Sequence, residues 1–274
     1  MKLFFTLSLL IFSLTSFAQD QLSMGRINKC LLSEGKVSCW GGNGNFGELN
    51  VPANYPDTLQ VTSGDDHSCA MTEEEVYCWG RNDHGQAKAP QGLNNAIQLS
   101  AGSQRTCALA GKTIHCWGKD LTGHINKAPL LRNPIEIATG DSHTCAITDK
   151  GIECWGDPRN GKLKAPIGLQ EVSSLASGYH HTCAIADGKV LCWGSNQNGQ
   201  LKVPKDLKNP KQLALGLYHS CALTEEGVRC WGAEKIGKIE IPQDLKDVSQ
   251  IATSASEVCA VAQDIAKCWM VIKK

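Results

Sequence analysis

From Ile135 to Pro166 apolar and polar positions alternate with a period of two, in runs too short for helices. Ile135-Glu136-Ile137-Ala138 reads as a half-buried strand that Gly140 ends. After Asp141-Ser142-His143-Thr144 comes a second strand, Cys145-Ala146-Ile147-Thr148, and a two-residue turn, Asp149-Lys150. The third strand is Gly151-Ile152-Glu153-Cys154-Trp155, and Gly156 ends it. Residues 157–166 are turn-rich, punctuated by Gly161 and Pro166. The whole unit then repeats. Cys, eight residues, then Cys-Trp occurs seven times, as Cys30/Cys39, Cys69/Cys78, Cys107/Cys116, Cys145/Cys154, Cys183/Cys192, Cys221/Cys230 and Cys259/Cys268. The seven copies use all 14 cysteines and all 7 tryptophans, and the first cysteines lie 39 and then 38 residues apart. So regular a period predicts stacked copies of one all-β unit.

The spacing also predicts how the cysteines pair. With the turn at 149–150, Ile147 faces Ile152, Ala146 faces Glu153 and Cys145 faces Cys154. Counted outward from the turn, the cysteines fall at a non-hydrogen-bonded pair, where facing side chains are closest. Their Cα separation of about 4.5 Å there suits a disulfide. One cross-strand disulfide per hairpin is expected. Zinc uses closely spaced Cys/His pairs, which this spacing fits poorly, so no metal is expected.

Residues 1–18 read as a secretory signal peptide: Lys2, an apolar run from Leu3 to Phe17, and Ser16 and Ala18 placed for cleavage. The mature domain is then 19–274, secreted or periplasmic, with no membrane span of its own. Export fits a disulfide framework. No Asn-x-Ser/Thr acceptor occurs, which fits a bacterial source. The 27 basic and 27 acidic residues cancel, and no basic block stands out, so nucleic acid is not an expected partner.

Other repeat positions carry choices. Gly25, Gly64, Gly102, Gly140, Gly178 and Gly216 stand five residues before the first Cys, with Ser254 in the last copy, as a positive φ or a close backbone approach would require. Two residues before the first Cys stand Asn28, His67, Arg105, His143, His181, His219 and Glu257. A ring of ligands would keep histidine throughout, so these read as side chains bonded to a neighbouring repeat's backbone. The tryptophans read as packing residues rather than a carbohydrate platform.

The string Gly178-Tyr179-His180-His181-Thr182-Cys183-Ala184-Ile185, followed by Cys192-Trp193-Gly194-Ser195-Asn196-Gln197-Asn198-Gly199-Gln200, resembles the RCC1-like repeat (regulator of chromosome condensation). The short period and the Val203-Pro204 step look most like the compact bacterial branch typified by β-lactamase inhibitory protein II. The resemblance implies a seven-bladed β-propeller, about 38 residues per blade, with three strands and a turn segment in each. Two departures stand out. The inhibitor has apolar residues where this chain has cysteine pairs, and its ring is closed by an N-terminal strand that completes the last blade. Here the chain opens with a complete repeat, Leu22 to Trp40, and ends on a third strand, Ala266 to Val271, so closure is expected from packing of blades 1 and 7. Ser254, Glu257 and Met270 are expected at that seam.

The inhibitor's partner contacts come from aromatics at the position held here by Ile27, Asp66, Gln104, Ser142, His180, Tyr218 and Ser256, of which only Tyr218 is Phe, Tyr or Trp. The family's eukaryotic namesake acts on a small GTPase and chromatin, which fits neither export nor a neutral charge.

Three functional classes remain. A binding module would present its Gly-to-Cys loops to a protein or cell-surface ligand, with Tyr179, His180, Tyr218 and His219 as a candidate patch in adjacent repeats. A structural envelope or extracellular protein would use the stapled disc itself. A hydrolase with a central-channel site is the third. No Gly-x-Ser-x-Gly, His-Glu-x-x-His, phosphate loop or unpaired Cys occurs, and Glu73-Glu74-Glu75 and Glu225-Glu226 sit in turns. No catalytic residue, cofactor or calcium site is expected, and the chain is expected to be a monomer.

Overall fold

The computed structural model describes residues 20–54, 57–120 and 126–273; the signal-peptide reading of 1–18 lies outside them. The described residues form seven antiparallel sheets, one per repeat, and a single short 3₁₀ turn at Arg159–Gly161. In the fourth blade the strands are Glu136–Thr139, His143–Thr148 and Gly151–Gly156. The middle strand begins two residues before its predicted start because His143 and Thr144 pair with Gly156 and Trp155. The first strand of each blade packs beside that of the next, and Val248–Thr253 of blade 7 lies beside Gln21–Met24 of blade 1. The ring is therefore a closed seven-bladed β-propeller with its first strands around the axis.

All seven disulfides form as the hairpin register requires: Cys30–Cys39, Cys69–Cys78, Cys107–Cys116, Cys145–Cys154, Cys183–Cys192, Cys221–Cys230 and Cys259–Cys268. Paired Cα atoms are 4.0–4.1 Å apart, closer than the expected 4.5 Å. The two members of a pair are not equivalent, a distinction the spacing does not carry. Every first Cys is fully buried in a middle strand. The second members Cys39, Cys78, Cys116, Cys154, Cys192 and Cys230 are only half-buried, because their strand is the outer edge of its blade, and Cys268 is exposed. Every sulfur is committed, so none serves as a nucleophile.

The repeated glycines resolve into two kinds. Gly102 has ordinary φ, but a Cβ there would stand 2.1 Å from the carbonyl oxygen of Gly140 in the next blade. Close approach around the axis is the reason for glycine at this position. Gly156, after the tryptophan, has φ of 111° and a Cβ there would meet the Ser142 carbonyl at 2.5 Å. That position needs both the left-handed conformation and the space.

Three sets of side chains join the blades. The indole N–H groups of Trp79, Trp117, Trp193 and Trp231 donate to the carbonyls of Glu48, Gln86, Lys162 and Gln200 in the preceding turn segment, at 2.9–3.1 Å. The residue two before each first Cys is the second set, and most of its members reach the residue one before the first Cys of the next blade. His67 bonds Thr106 at 2.8 Å, His143 bonds Thr182 at 2.7 Å and His181 bonds Ser220 at 2.8 Å. Asn28 takes Ser68 and Arg105 takes Thr144, each at 2.8 Å. The neighbouring repeat is the partner, as the sequence implied, but a hydroxyl meets the histidine rather than the backbone. Arg105 reaches the backbone as well, donating to the His143 carbonyl of the next blade.

One joint in this set is open. His219 faces blade 7, where Val258 replaces the hydroxyl residue, and both its ring nitrogens are buried without a partner. A buried unsatisfied donor costs about 1–3 kcal/mol. Val258→Thr is therefore expected to stabilise the protein by about 1 kcal/mol, net of the lost methyl packing. Thermal denaturation of V258T with and without His219→Ala checks this; a gain that survives removal of His219 would sink it.

The third set surrounds the axis. Gln60 accepts from Leu99 N at 2.6 Å and donates to Leu99 O at 3.0 Å; Gln98 does the same to Ile137, and Gln250 to Leu22 across the closing seam. In blade 4 the glutamine is replaced by Glu136, which accepts from Leu175 N at 2.9 Å but has no amide to donate. Burial pushes its carboxyl up to about 6. A raised folded-state value means that the stability from this group is full below its solution value and is lost as pH rises through about 6. Glu136→Gln should thus stabilise by about 1–2 kcal/mol at neutral pH and by much less at pH near 5. Urea denaturation at the two pH values reads the difference, and equal gains would refute the assignment.

The seam between blades 7 and 1 adds the Lys29–Glu257 ion pair at 2.9 Å and a cluster of Leu22, Met24, Ala252, Cys259 and Val261. Closure is by packing and not by a shared strand, as expected. The last strand runs from Ile265 to Lys273, longer than predicted, and its extension pairs with Gly237–Ile239 from the preceding turn segment. Blade 7 consequently has four strands.

Candidate functional site

The first strand of each blade runs the length of the axis, so each repeat places residues at both mouths of the central channel. At one mouth lie the Gly-to-Cys loops. Here the channel narrows to a cavity of about 80 Å³ bordered by Gly25, Gly64, Gly102, Gly140 and Gly178. Tyr179 of blade 5 crosses it and donates its hydroxyl to the Asp65 carboxylate of blade 2. Ser103 donates to the other Asp65 oxygen at 2.5 Å, and Arg26 lies 3.9 Å away. Burial raises the Asp65 carboxyl, against the lowering effect of these bonds. Burial also raises the Tyr179 phenol, and the Asp65 charge adds to it, so Tyr179 stays a donor. The bridge ties distant blades of the ring and caps this end.

The patch predicted from sequence is accordingly divided. Tyr179 is committed to the bridge, with its ring edge-on to His180 at 6.4 Å. His180 and Tyr218 are half-buried at the same mouth. His219 is fully buried at the blade 6–7 joint and is not part of a surface patch, because its repeat position points between blades. Burial lowers its imidazole to about 4, so it is neutral at physiological pH.

The other mouth is open. A depression of about 780 Å³ there is bordered by Gln21, Leu59, Gln60, Ile97, Gln98, Lys211 and Gln250, among others. The repeats hold Asp20, Leu59, Ile97, Ile135, Ser173, Lys211 and Ser249 ten residues before the first Cys, and all of these but Ile135 and Ser173 border the depression. Leu59, Ile97 and Ile135 are 43%, 59% and 66% exposed, forming an apolar arc over three successive blades. Neither mouth is bordered by a cysteine, so the half-buried sulfurs of Cys39, Cys78, Cys116 and Cys230 belong to the framework and not to the site. Sequence reasoning missed the apolar arc and the Tyr179–Asp65 bridge. Aligning the repeats would have shown three aliphatics in one column; the bridge joins residues 114 apart and left no local signal.

Fold and site together define a disulfide-stapled seven-bladed propeller with one capped and one open mouth. Residues 59–86, 172–200 and 211–235 match the family model described as the regulator of chromosome condensation (RCC1) repeat. Among solved structures, the ectodomain of the Physcomitrella patens receptor kinase CR4 is similar at 25% identity and a TM-score of 0.77, over 91% of this chain and 72% of that one. The CRINKLY WD40 ectodomain of the Arabidopsis thaliana receptor kinase ACR4 shows 22% identity and a TM-score of 0.72, over 92% and 94%. Prp20p from Saccharomyces cerevisiae shows 20% identity and a TM-score of 0.50, over 91% and 71%. No curated protein sequence matches significantly. Seven disulfides point to an oxidising environment, and no helix among the described residues is long and apolar enough to cross a membrane.

Proposed function

We propose that this protein is an exported, non-enzymatic RCC1-like propeller that binds a protein or cell-surface ligand through its open mouth. The observation that carries the reading is the arc of Leu59, Ile97 and Ile135, exposed at one repeat position in three successive blades. Propeller interiors bury such side chains, and a contiguous exposed set marks an interaction surface. The signal-peptide pattern read in residues 1–18 and the seven disulfides support export. The oxidised mature protein, immobilised, is expected to retain one saturable partner from envelope or culture-medium fractions. Ile97→Asp should release that partner and Tyr218→Ala should keep it. The reverse result would move the binding face to the capped mouth and to His180 and Tyr218. Absence of any saturable partner would favour a purely structural role for the disc. Tyr218 alone favours inhibition of a β-lactamase, and direct assay against a β-lactamase panel tests that second reading.

A further inference from the structure

The apolar arc does not end in neutral surface. Beside Leu59 a second recess of about 340 Å³ is bordered by Asn54, Asp57, Leu59, Thr72, Glu73, Glu74 and Glu75. Asp57, Glu73, Glu74 and Glu75 are exposed, and none takes part in an ion pair among the described residues. Four carboxylates thus border one recess, three of them on the hairpin turn of blade 2 and Asp57 on the segment leading into it. Of the two neighbouring tips, that of blade 1, whose Gly35 carbonyl accepts from Thr58 N, carries both Glu34 and Lys36, and that of blade 3 carries Lys112. Across the mouth Lys211 stands 3.7 Å from Glu225, with Asp20 and Asp264 along the rim. The run of three glutamates is therefore peculiar to blade 2 and adjoins the start of the arc, since Leu59 borders both recesses.

Charge and shape together select an occupant. An anionic or purely apolar ligand leaves four like charges unrelieved, whereas a cationic side chain lowers their mutual repulsion as it docks. Aliphatic side chains along the same ligand cover Leu59, Ile97 and Ile135. We infer that the open mouth takes a basic, aliphatic peptide segment, with a Lys or Arg side chain among Asp57, Glu73, Glu74 and Glu75 and apolar side chains along the arc. The inference rests on the open mouth being the binding face.

The test uses labelled peptides of alternating Lys and Leu, of Glu and Leu, and of Lys and Ser, each about eight residues, the length of an extended strand. Fluorescence anisotropy against the oxidised protein should show saturable one-to-one binding for Lys-Leu, weaker binding for Lys-Ser and none for Glu-Leu. Glu73→Gln/Glu74→Gln/Glu75→Gln and Leu59→Ser/Ile97→Ser should each weaken Lys-Leu binding roughly tenfold or more, as loss of an anchor does. Tyr218→Ala, at the other mouth, should leave it unchanged. All the substituted positions of the arc and pocket are exposed, and circular dichroism melts of the variants confirm an intact fold. Equal binding of Glu-Leu, or an unchanged Lys-Leu affinity in the glutamine variant, overturns the inference. So does a wild-type dimer that Ile97→Asp dissolves in sedimentation, since the occupant is then a second copy. If Lys-Leu fails to bind while Ile97→Asp still releases a captured partner, the peptide chemistry is wrong and the face is right. If Ile97→Asp keeps the partner, the face itself is wrong.

Discussion

Acidification from pH 6.5 towards pH 4 is expected to unfold the oxidised protein. Four imidazoles are fully buried between blades, and burial holds His67 and His219 down to about 4, His181 to about 3 and His143 well below its solution value, with Arg105 and Lys162 adding to the last. The unfolded chain takes up these protons near 6.5 and the folded one does not. Stability is therefore complete above that value and falls as pH drops towards the folded-state values. A shift from 6.5 to about 4 is worth roughly 3 kcal/mol per histidine, and a few such groups rival the 5–15 kcal/mol of a typical domain. Glu136 acts in the opposite direction and, at about 2 kcal/mol, offsets less than one of the four. Asn28 shows that a neutral amide can do the same job, since it bonds Ser68 from the same repeat position. Denaturant titrations at pH 7.5, 5.5 and 4.5 should show a steep loss in the native chain and a shallower one in His67→Asn/His181→Asn. An identical acid slope in both would mean that these imidazoles do not set it.

Reduction should be the other severe perturbation. Each disulfide closes a loop of ten residues, and the chain-entropy relation gives about 2–3 kcal/mol for one such loop. Even at half that amount, seven of them total about 7–10 kcal/mol, comparable to the whole stability of a typical domain. The fully buried first cysteines shield one side of each bond until a hairpin opens, and exposed Cys268 makes blade 7 the easiest to approach. Reductant should act slowly on the native protein and rapidly in denaturant, after which the reduced chain fails to regain its cooperative melt. A reduced chain that melts at the oxidised temperature would show the cross-links to be dispensable.

The fold was legible because it is local. The strand alternation, the turn at Asp149-Lys150 and the facing of Cys145 with Cys154 follow from neighbours in sequence, and the 38-residue period multiplies each signal. What escaped depends on how strands and blades pack. The middle strand's early start at His143 needs Gly156 as a partner, and the fourth strand of blade 7 needs a turn segment from blade 6. The unequal burial of Cys69 and Cys78 likewise depends on which strand lies inside the blade. The candidate site was less legible for the same reason. The sequence placed His219 beside Tyr218 in one loop, but the middle strand begins at His219, which the packed blades bury, while Tyr218 stays in the bend before it. The apolar arc is invisible within any one repeat, because a single Ile97 at a strand's start is unremarkable.

Because each sheet is complete within one stretch of chain, the order of cysteines along the polypeptide is also an order of assembly. Each second Cys finds its native partner nine residues behind it, while the preceding blade's nearest Cys lies 29 or 30 residues further from that partner. Shorter loops close at lower entropic cost, so a chain delivered from its N-terminus into an oxidising compartment meets its correct thiol first at every step. Pairing errors among the 14 cysteines are suppressed by proximity, without a template from the finished ring. The last event is then the meeting of Glu257 with Lys29 and of Gln250 with Leu22, which links the newest end of the chain to the oldest.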